Sequence, residues 1–345
     1  MTPQPSRPTG ARVSLRAIAQ AAGVSVMTVS YALRDNPEVS ARQRRRIQRI
    51  AEKIGYRPDP LLTHLMQHLR SQRTLKTAPN LAVLTTLDAH FVRRLLAGAH
   101  ARAERLGYHL DRVDVRPFMG HPGSLTRTLL ARGVPGVLLA PVEDPASYAS
   151  LLDWDQFAAV AMTYSVVEPR VHRVVTHHFD NALRALALLE QRGLRRIGLA
   201  MTTDMELRAN HSYSAAYHRA ANTGGIEPLP ILFLNEADPA GVRAWFSRHR
   251  PTAVLVANSN HVREHLHAAL GAEVCAEVPI RCLDYDPREG IAGIDQLFET
   301  IGGHAIDVLV AQLHRNERGL PASPTVTMVE GRWVETPLAR LPRAR

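Results

Sequence analysis

The chain has 345 residues, with 42 Lys and Arg against 32 Asp and Glu, giving a formal charge of +10. Two cysteines, Cys275 and Cys282, are too few for a disulfide framework or a four-cysteine metal site; no apolar run reaches the length of a membrane span, and the polar start lacks the apolar stretch of a secretory signal. The charge surplus sits entirely in residues 1–76, which carry 14 basic and four acidic side chains, while the other 269 residues are balanced; a basic module for a polyanion attached to a neutral body is expected, in the cytoplasm with reduced thiols.

Residues 1–12 are polar, with Pro and Gly, and are expected to be disordered. Ser14 can cap a helix from Leu15 to Ala22, with Ile18, Ala19 and Ala22 on one face. Gly23 breaks it, and Ser25 caps a second short helix to about Leu33, whose Val29 and Leu33 face inward. Asn36-Pro37 marks a loop, Ser40 opens a third helix from Ala41 to Ile54, and Gly55 ends it. Three short helices around a glycine turn make a helix-turn-helix. Leu61, Leu62, Leu65 and Leu69 then share one face of a short helix, followed by a linker to about Pro79. From Asn80, strands and helices alternate every 20–30 residues. Strands are predicted at 81–86, 108–113, 136–140, 157–162, 171–176, 196–200, 230–234, 253–257 and 280–283. Helices are predicted at 92–106, 124–132, 182–192, 212–221, 240–248, 261–270 and 301–313. That alternation argues for parallel, doubly wound sheets, and its length for two lobes.

The residues from Val13 to Pro58 carry a more specific pattern. The strings V-S-L-R-A-I-A-Q-A-A-G-V-S-V-M-T-V-S-Y-A-L, N-P-E-V-S and I-A-E-K-I-G-Y-R-P resemble, without a gap, the headpiece of the lactose-repressor (LacI/GalR) family of bacterial transcription regulators. Looser similarity continues through Asp180-Asn181, L-R-R-I-G-L at 194–199, R-P-T-A-V-L-V-A-N at 250–258 and G-L-P-A-S-P at 319–324. The resemblance implies an all-α helix-turn-helix headpiece at 13–58, a hinge helix and linker at 59–79, and a two-lobed α/β core at 80–336. A short tail, 337–345, follows. The core would resemble periplasmic sugar-binding proteins of type I, with parallel sheets, a ligand cleft between the lobes and a homodimer as the working unit. Its partners would be double-stranded operator DNA in the nucleoid and a small-molecule effector, a sugar or related metabolite, with no cofactor and no membrane. Repression is the expected sign of control.

A recognition helix places its first side chains in the major groove. Val26, Met27 and Tyr31 fall on the outward face of the second helix and are assigned to base edges, where an apolar side chain can read a thymine methyl; packing in the headpiece core is the alternative for Val26 and Met27. Ser14, Ser25, Thr28 and Ser30 are phosphate candidates, and Arg34, Arg42 and Arg44 add sequence-independent attraction. Two departures from the family matter. Tyr31 stands where many members have Arg, so the operator should differ there. The family's hinge often reads Ala-x-x-Leu, and the matching positions here are Leu62 and Leu65. Leu65 is the candidate minor-groove wedge, with hinge-to-hinge packing as the alternative, and Leu62 is bulkier than the usual Ala.

Ligands of doubly wound sheets bind at strand C-termini. The loops there offer Asp88, His90, Phe91, Thr163, Tyr164, Arg208, Asn258, Asn260, Asp284 and Asp286. The resemblance favours Phe91, Arg208, Asn258 and one of Asp284 and Asp286. Asp88 and Tyr164 complete the candidate set, and a solvated or capping role is the alternative for each. The family's Asn-Asp pair reads Asn258-Ser259 here, and its Gly-Phe-Asp-Asp reads Leu283-Asp284-Tyr285-Asp286, which argues against an ordinary sugar ligand. One enzymatic alternative exists. His261-Val-Arg-Glu264-His265 fits the H-x-x-E-H pattern of zinc hydrolases, with Glu330 as a conceivable third ligand. An Arg- and His-rich solvated helix face gives the same string, and no phosphate loop, dinucleotide fingerprint or nucleophile elbow accompanies it. The expectation is therefore a regulator and not an enzyme.

Overall fold

A computed structural model describes residues 15–33, 39–54, 79–121, 123–142 and 148–335. Ser14, Arg34, Leu62 and Leu65 lie outside these residues, as do the expected hinge helix, the N-terminal stretch and the C-terminal tail. The described chain forms two compact units.

The first unit contains three helices, α1 (Leu15–Ala22), α2 (Val26–Ala32) and α3 (Ala41–Lys53). Their apolar positions at helical spacing close on one another: Ile18, Ala19, Ala22, Val29, Ala32, Val39, Ile47 and Ala51 are buried together. Burying each of the larger side chains here contributes about 1.5–3 kcal/mol. The turn between α1 and α2 needs a left-handed residue, and Gly23 supplies φ 63. Ser25 starts α2 by accepting the Thr28 N–H at 3.1 Å, and Ser40 accepts the Gln43 N–H at the start of α3. Gln48 Nε2 donates to the Ala32 carbonyl at 3.2 Å, tying α3 to the end of α2.

The second unit holds two six-stranded sheets. Lobe 1 contains β1 (Asn80–Thr85), β2 (His109–Asp114), β3 (Gly136–Leu139), β4 (Ala158–Met162), β5 (His172–Thr176) and β11 (Val326–Val329), in the order β11-β5-β4-β3-β1-β2. Lobe 2 contains β6 (Ile197–Met201), β7 (Leu232–Phe233), β8 (Ala253–Val256), β9 (Ile280–Cys282), β10 (Gly293–Asp295) and β12 (Arg332–Val334), in the order β12-β10-β9-β8-β6-β7. Every pairing is parallel except β10 with β12. The inner strands are continuous apolar runs because helices cover both faces. These helices are α4 (His90–Arg105) and α5 (Ser124–Ala131) in lobe 1, and α6 (His178–Gln191), α7 (Thr203–Arg208), α8 (Ser212–Asn222), α9 (Pro239–His249) and α10 (Ser259–Glu277) in lobe 2. α11 (Phe298–Arg315) leads back to lobe 1.

The chain crosses between lobes three times, after β5, after β10 and between β11 and β12. The crossings are fastened together. The Gly331 N–H donates to Asn181 Oδ1 at 2.8 Å, Arg184 donates to the Gly331 carbonyl, and the His177 N–H donates to the Val329 carbonyl at 2.9 Å. A Cβ at position 331 would lie 2.7 Å from Ile294 and 2.8 Å from Asn181 Nδ2, so glycine alone fits. α4 and the start of α11 meet in the same way. A Cβ on Gly98 or Gly302 would lie 1.9 Å from a carbonyl oxygen of Glu299 or Leu95 respectively. Arg94 clamps the join, donating to both Glu299 carboxylate oxygens at 2.7 Å and to Asp295 at 3.0 Å. This is the type I periplasmic-binding-protein-like core that the sequence implied.

Some boundaries differ from expectation. α6 begins at His178, so Asp180 and Asn181 lie inside its first turn instead of before it. α10 continues past its expected end at 270 through a break at Gly271, with φ 78 and ψ 167. The strands β10, β11 and β12 are three or four residues long and form only by pairing across the fold, which leaves no periodicity to read. The six-residue α7 is equally short.

Candidate functional site

The headpiece presents α2 with its N-terminus open. Val26 is 40% exposed and Met27 60%, whereas the other large apolar side chains described in the three helices are buried or half-buried. They do not pack in the core, which removes the alternative raised for them. Tyr31 is half-buried, its ring packed against the headpiece core. Ser25 and Thr28 are held by one another, with hydroxyl oxygens 2.9 Å apart, because Ser25 caps the helix. Arg42, Arg45, Arg46 and Arg49 are exposed and Arg44 is half-buried, all on α3. The three-helix unit thus offers a solvated apolar pair at a helix N-terminus beside a cationic helix.

In the core, the C-terminal ends of β1, β4, β6 and β9 deliver side chains to the crevice between the lobes. His178, at the start of α6, lies between them: its ring centroid is 6.3 Å from Tyr164 of lobe 1 and 5.1 Å from Tyr213 of lobe 2. The hydrogen bonds around Tyr213 can be oriented from one fixed point. The Leu283 carbonyl can only accept, so the Gln296 atom 2.7 Å from it is the amide nitrogen. Gln296 Oε1 then accepts the Thr176 hydroxyl, and Gln296 Nε2 also donates to the Tyr213 oxygen at 3.2 Å. Tyr213 therefore gives its own proton to His178 Nδ1, 2.9 Å away. This leaves Nε2 as the protonated nitrogen of a neutral imidazole. Burial agrees with that assignment, since it lowers the His178 pKa to about 4, with His177 adding to the effect. Burial likewise raises the Tyr213 hydroxyl well above its ordinary range.

The sequence-derived candidates fall into three groups. Phe91 and Tyr164 face other rings: Phe91 lies 5.6 Å from Phe298, and Tyr164 carries the Arg173 guanidinium 6.0 Å from its centroid. Asp284 and Asn258 are half-buried at the ends of β9 and β8, Asn258 in left-handed backbone at φ 59. Asp88, Arg208 and Asp286 are committed to other charges. Asp88 faces Arg93 at 3.3 Å and Arg112 at 3.5 Å, and Arg208 faces Asp204 at 3.7 Å. Asp286 binds the backbone N–H and guanidinium of Arg288, and those hydrogen bonds hold its carboxyl down at about 2. His90 Nε2 of lobe 1 approaches Asp286 of lobe 2 to 3.9 Å, across the crevice.

Sequence reasoning missed His178, Tyr213, Gln296 and Glu206. Glu206 is only 5% exposed, on α7; its Oε1 accepts the Ser214 hydroxyl and its Oε2 has no hydrogen-bond partner. Its place in a six-residue helix is invisible to helical periodicity, and a Glu there reads as a solvated side chain. The H-x-x-E-H string lies on α10. His261 and His265 have ring centroids 4.3 Å apart, but His265 Nδ1 lies 2.7 Å from the His261 carbonyl. Glu330 is engaged by Arg184 at 3.3 Å. Among the described residues no group of three His, Cys, Asp or Glu side chains is placed to hold a metal ion, and no helix there is long and apolar enough to cross a membrane.

Comparison with known proteins agrees with this arrangement. Residues 14–59 match the family described as "Bacterial regulatory proteins, lacI family". The lactose operon repressor of Escherichia coli (strain K12) is 22% identical over 311 residues, covering 86% of this chain and 84% of that protein. Among solved structures, a transcriptional regulator CelR–cellobiose complex superposes with a TM-score of 0.56 at 19% identity, over 94% of this chain and 98% of that one. The lac repressor dimer bound to operator and the anti-inducer ONPF gives 0.55 at 21% identity, with the same coverage. Residues 14–59 thus carry a lacI-family DNA-binding headpiece, and the chain as a whole is similar in sequence and fold to the lactose operon repressor.

Proposed function

We propose that this chain is a homodimeric repressor whose grip on a pseudo-palindromic operator is set by a small polar effector held between the two lobes. The observation that carries the DNA half is the solvated pair Val26 and Met27 at the start of α2. Exposed apolar side chains there have no folding role, and they suit thymine methyls in the major groove. Tyr31 reads the base edge beside them. Ser14, Ser25, Thr28 and Ser30 meet phosphates, and Arg34, Arg42 and Arg44 add attraction that does not depend on sequence. Leu65 acts as the minor-groove wedge at the operator centre. For the effector half, the aromatic faces of Phe91 and Tyr164 and the polar groups of Asn258, Asp284 and Arg208 line the crevice, with Asp88 and Asp286 bracing its loops. A ligand that closes the lobes alters operator affinity through a coupling of about 1–3 kcal/mol. The protein works where the chromosome is, in the cytoplasm.

Selection of duplexes from a random pool by the full chain tests the DNA half. Two-fold symmetric sites should emerge, and Met27→Ala should weaken the selected site about tenfold while leaving binding to random DNA unchanged. Asymmetric sites, or full affinity in Met27→Ala, would overturn the assignment.

A further inference from the structure

Glu206 gives the effector a chemical class, on the reading that the crevice between the lobes is the effector site. A buried carboxylate is stable when its oxygens are hydrogen-bonded and its charge is answered. Glu206 meets half of that requirement. Oε1 accepts the Ser214 hydroxyl, while Oε2 is closed off from solvent with no donor. Among the described residues no arginine pairs with Glu206, and Arg208, two residues on, turns to Asp204. The core beyond residue 76 contains no lysine at all. Among the described residues the ion-pair partner of Glu206 is the exposed His211, with Nδ1 3.7 Å from Oε1, beyond hydrogen-bond length and on the already satisfied oxygen.

The vacancy lies in the crevice. Glu206 follows β6, at the carboxyl end of the lobe 2 sheet where ligands of such sheets bind. Its partner Ser214 adjoins Tyr213, whose hydroxyl lies 2.9 Å from His178 Nδ1, and His178 in turn faces Tyr164 of lobe 1. Tyr213 makes no hydrogen bond to the Glu206 Oε2, which stays without a partner. An aromatic face is also near, at Tyr164, whose ring centroid is 6.3 Å from that of His178. Neutral hydroxyls on a ligand would satisfy lone pairs but leave the charge unanswered. An ammonium group does both, and it is also drawn to aromatic faces.

We propose that Glu206 is the anchor for a protonated amine, and that the effector is an amino sugar or a similarly sized polyol amine. The anchor lies in the same crevice as Asp284, which takes the neighbouring hydroxyl.

Thermal denaturation and titration calorimetry on the full chain test this with four probes: D-glucosamine, D-galactosamine, N-acetyl-D-glucosamine and D-glucose. At least one free amine should bind about tenfold or more tightly than the neutral probes, and Glu206→Gln should abolish that preference by replacing an acceptor with an amide of the same shape. A neutral probe that binds as tightly as the amines overturns the amine assignment and leaves the crevice reading in place. So does undiminished amine binding in Glu206→Gln. Should Glu206→Gln fail to fold, the comparison of glucosamine with its N-acetyl form on the unmodified chain decides alone, since only the charge differs. No response to any of the four overturns the amine assignment. If, in addition, a broad set of neutral metabolites leaves operator binding unchanged, the crevice reading falls as well.

Discussion

Removing the hydroxyl of Tyr213 would strip His178 Nδ1 of its donor and leave a Gln296 N–H without one of its acceptors. Because Gln296 is buried and His178 half-buried, Tyr213→Phe should cost about 1–3 kcal/mol in urea unfolding at neutral pH, although the ring and its packing are retained. His178 itself makes the core sensitive to acid. Its pKa falls from an ordinary 6.5 to about 4 in the folded chain. Below pH 6.5 the unfolded chain takes up a proton that the folded chain refuses, so stability drops as the pH falls from 6.5 towards 4. His178 is half-buried, so solvent screening limits the loss from this group to about 2 kcal/mol at most. His178→Asn should flatten the slope of unfolding free energy between pH 6.5 and 4.5, and an unchanged slope would show that other groups set it. None of this network was legible in the sequence. His178 belongs to no motif, and Tyr213 is one position in the helix predicted at 212–221, because only the three lobe crossings bring Thr176, Gln296 and Tyr213 together.

Elements were more legible where they bury their own side chains. α1, α2 and α3 came out at their expected positions because Ile18, Val29 and Ile47 mark helical faces and Ser25 and Ser40 provide caps. The inner strands β1, β3, β4, β6 and β8 also declared themselves, as apolar runs between glycine or proline signals. β11 and β12 did not, since they are short and take their order from neighbours far along the chain. The packing of α4 on the start of α11 belongs to this scale too. Gly302 lets the Leu95 carbonyl approach to within the space of a Cβ. Gly302→Ala must push backbone against backbone, and such overpacking costs about 1–3 kcal/mol or more. The core should melt several degrees lower, while the headpiece fold, followed by its own amide signals, should stay as it is.

At the scale of the whole molecule the charge division has a direct consequence. The surplus of ten lies within the first 76 residues, and the remainder is balanced. Operator affinity should therefore fall steeply between low and moderate salt, with a slope reporting the number of phosphates neutralised. Effector affinity should change much less, because a site enclosed between lobes is little screened. Titrations of both ligands across one salt series, by fluorescence anisotropy and calorimetry, would measure the two slopes; equal slopes would contradict the division.

The sequence by itself determined the headpiece, the alternation that makes two parallel sheets, and the separation of charge, because these depend on periodicity and composition within short windows. It also put Phe91, Tyr164, Asn258 and Asp284 just after strands, since strand ends follow from strand positions. The tertiary structure alone decided which polar groups at those ends are already satisfied. Asp88, Arg208 and Asp286 are taken up by neighbouring charges, whereas Glu206 keeps an unanswered oxygen. Satisfaction of a buried polar group depends on atoms within about 3 Å of it, and those atoms arrive from segments tens to more than a hundred residues apart.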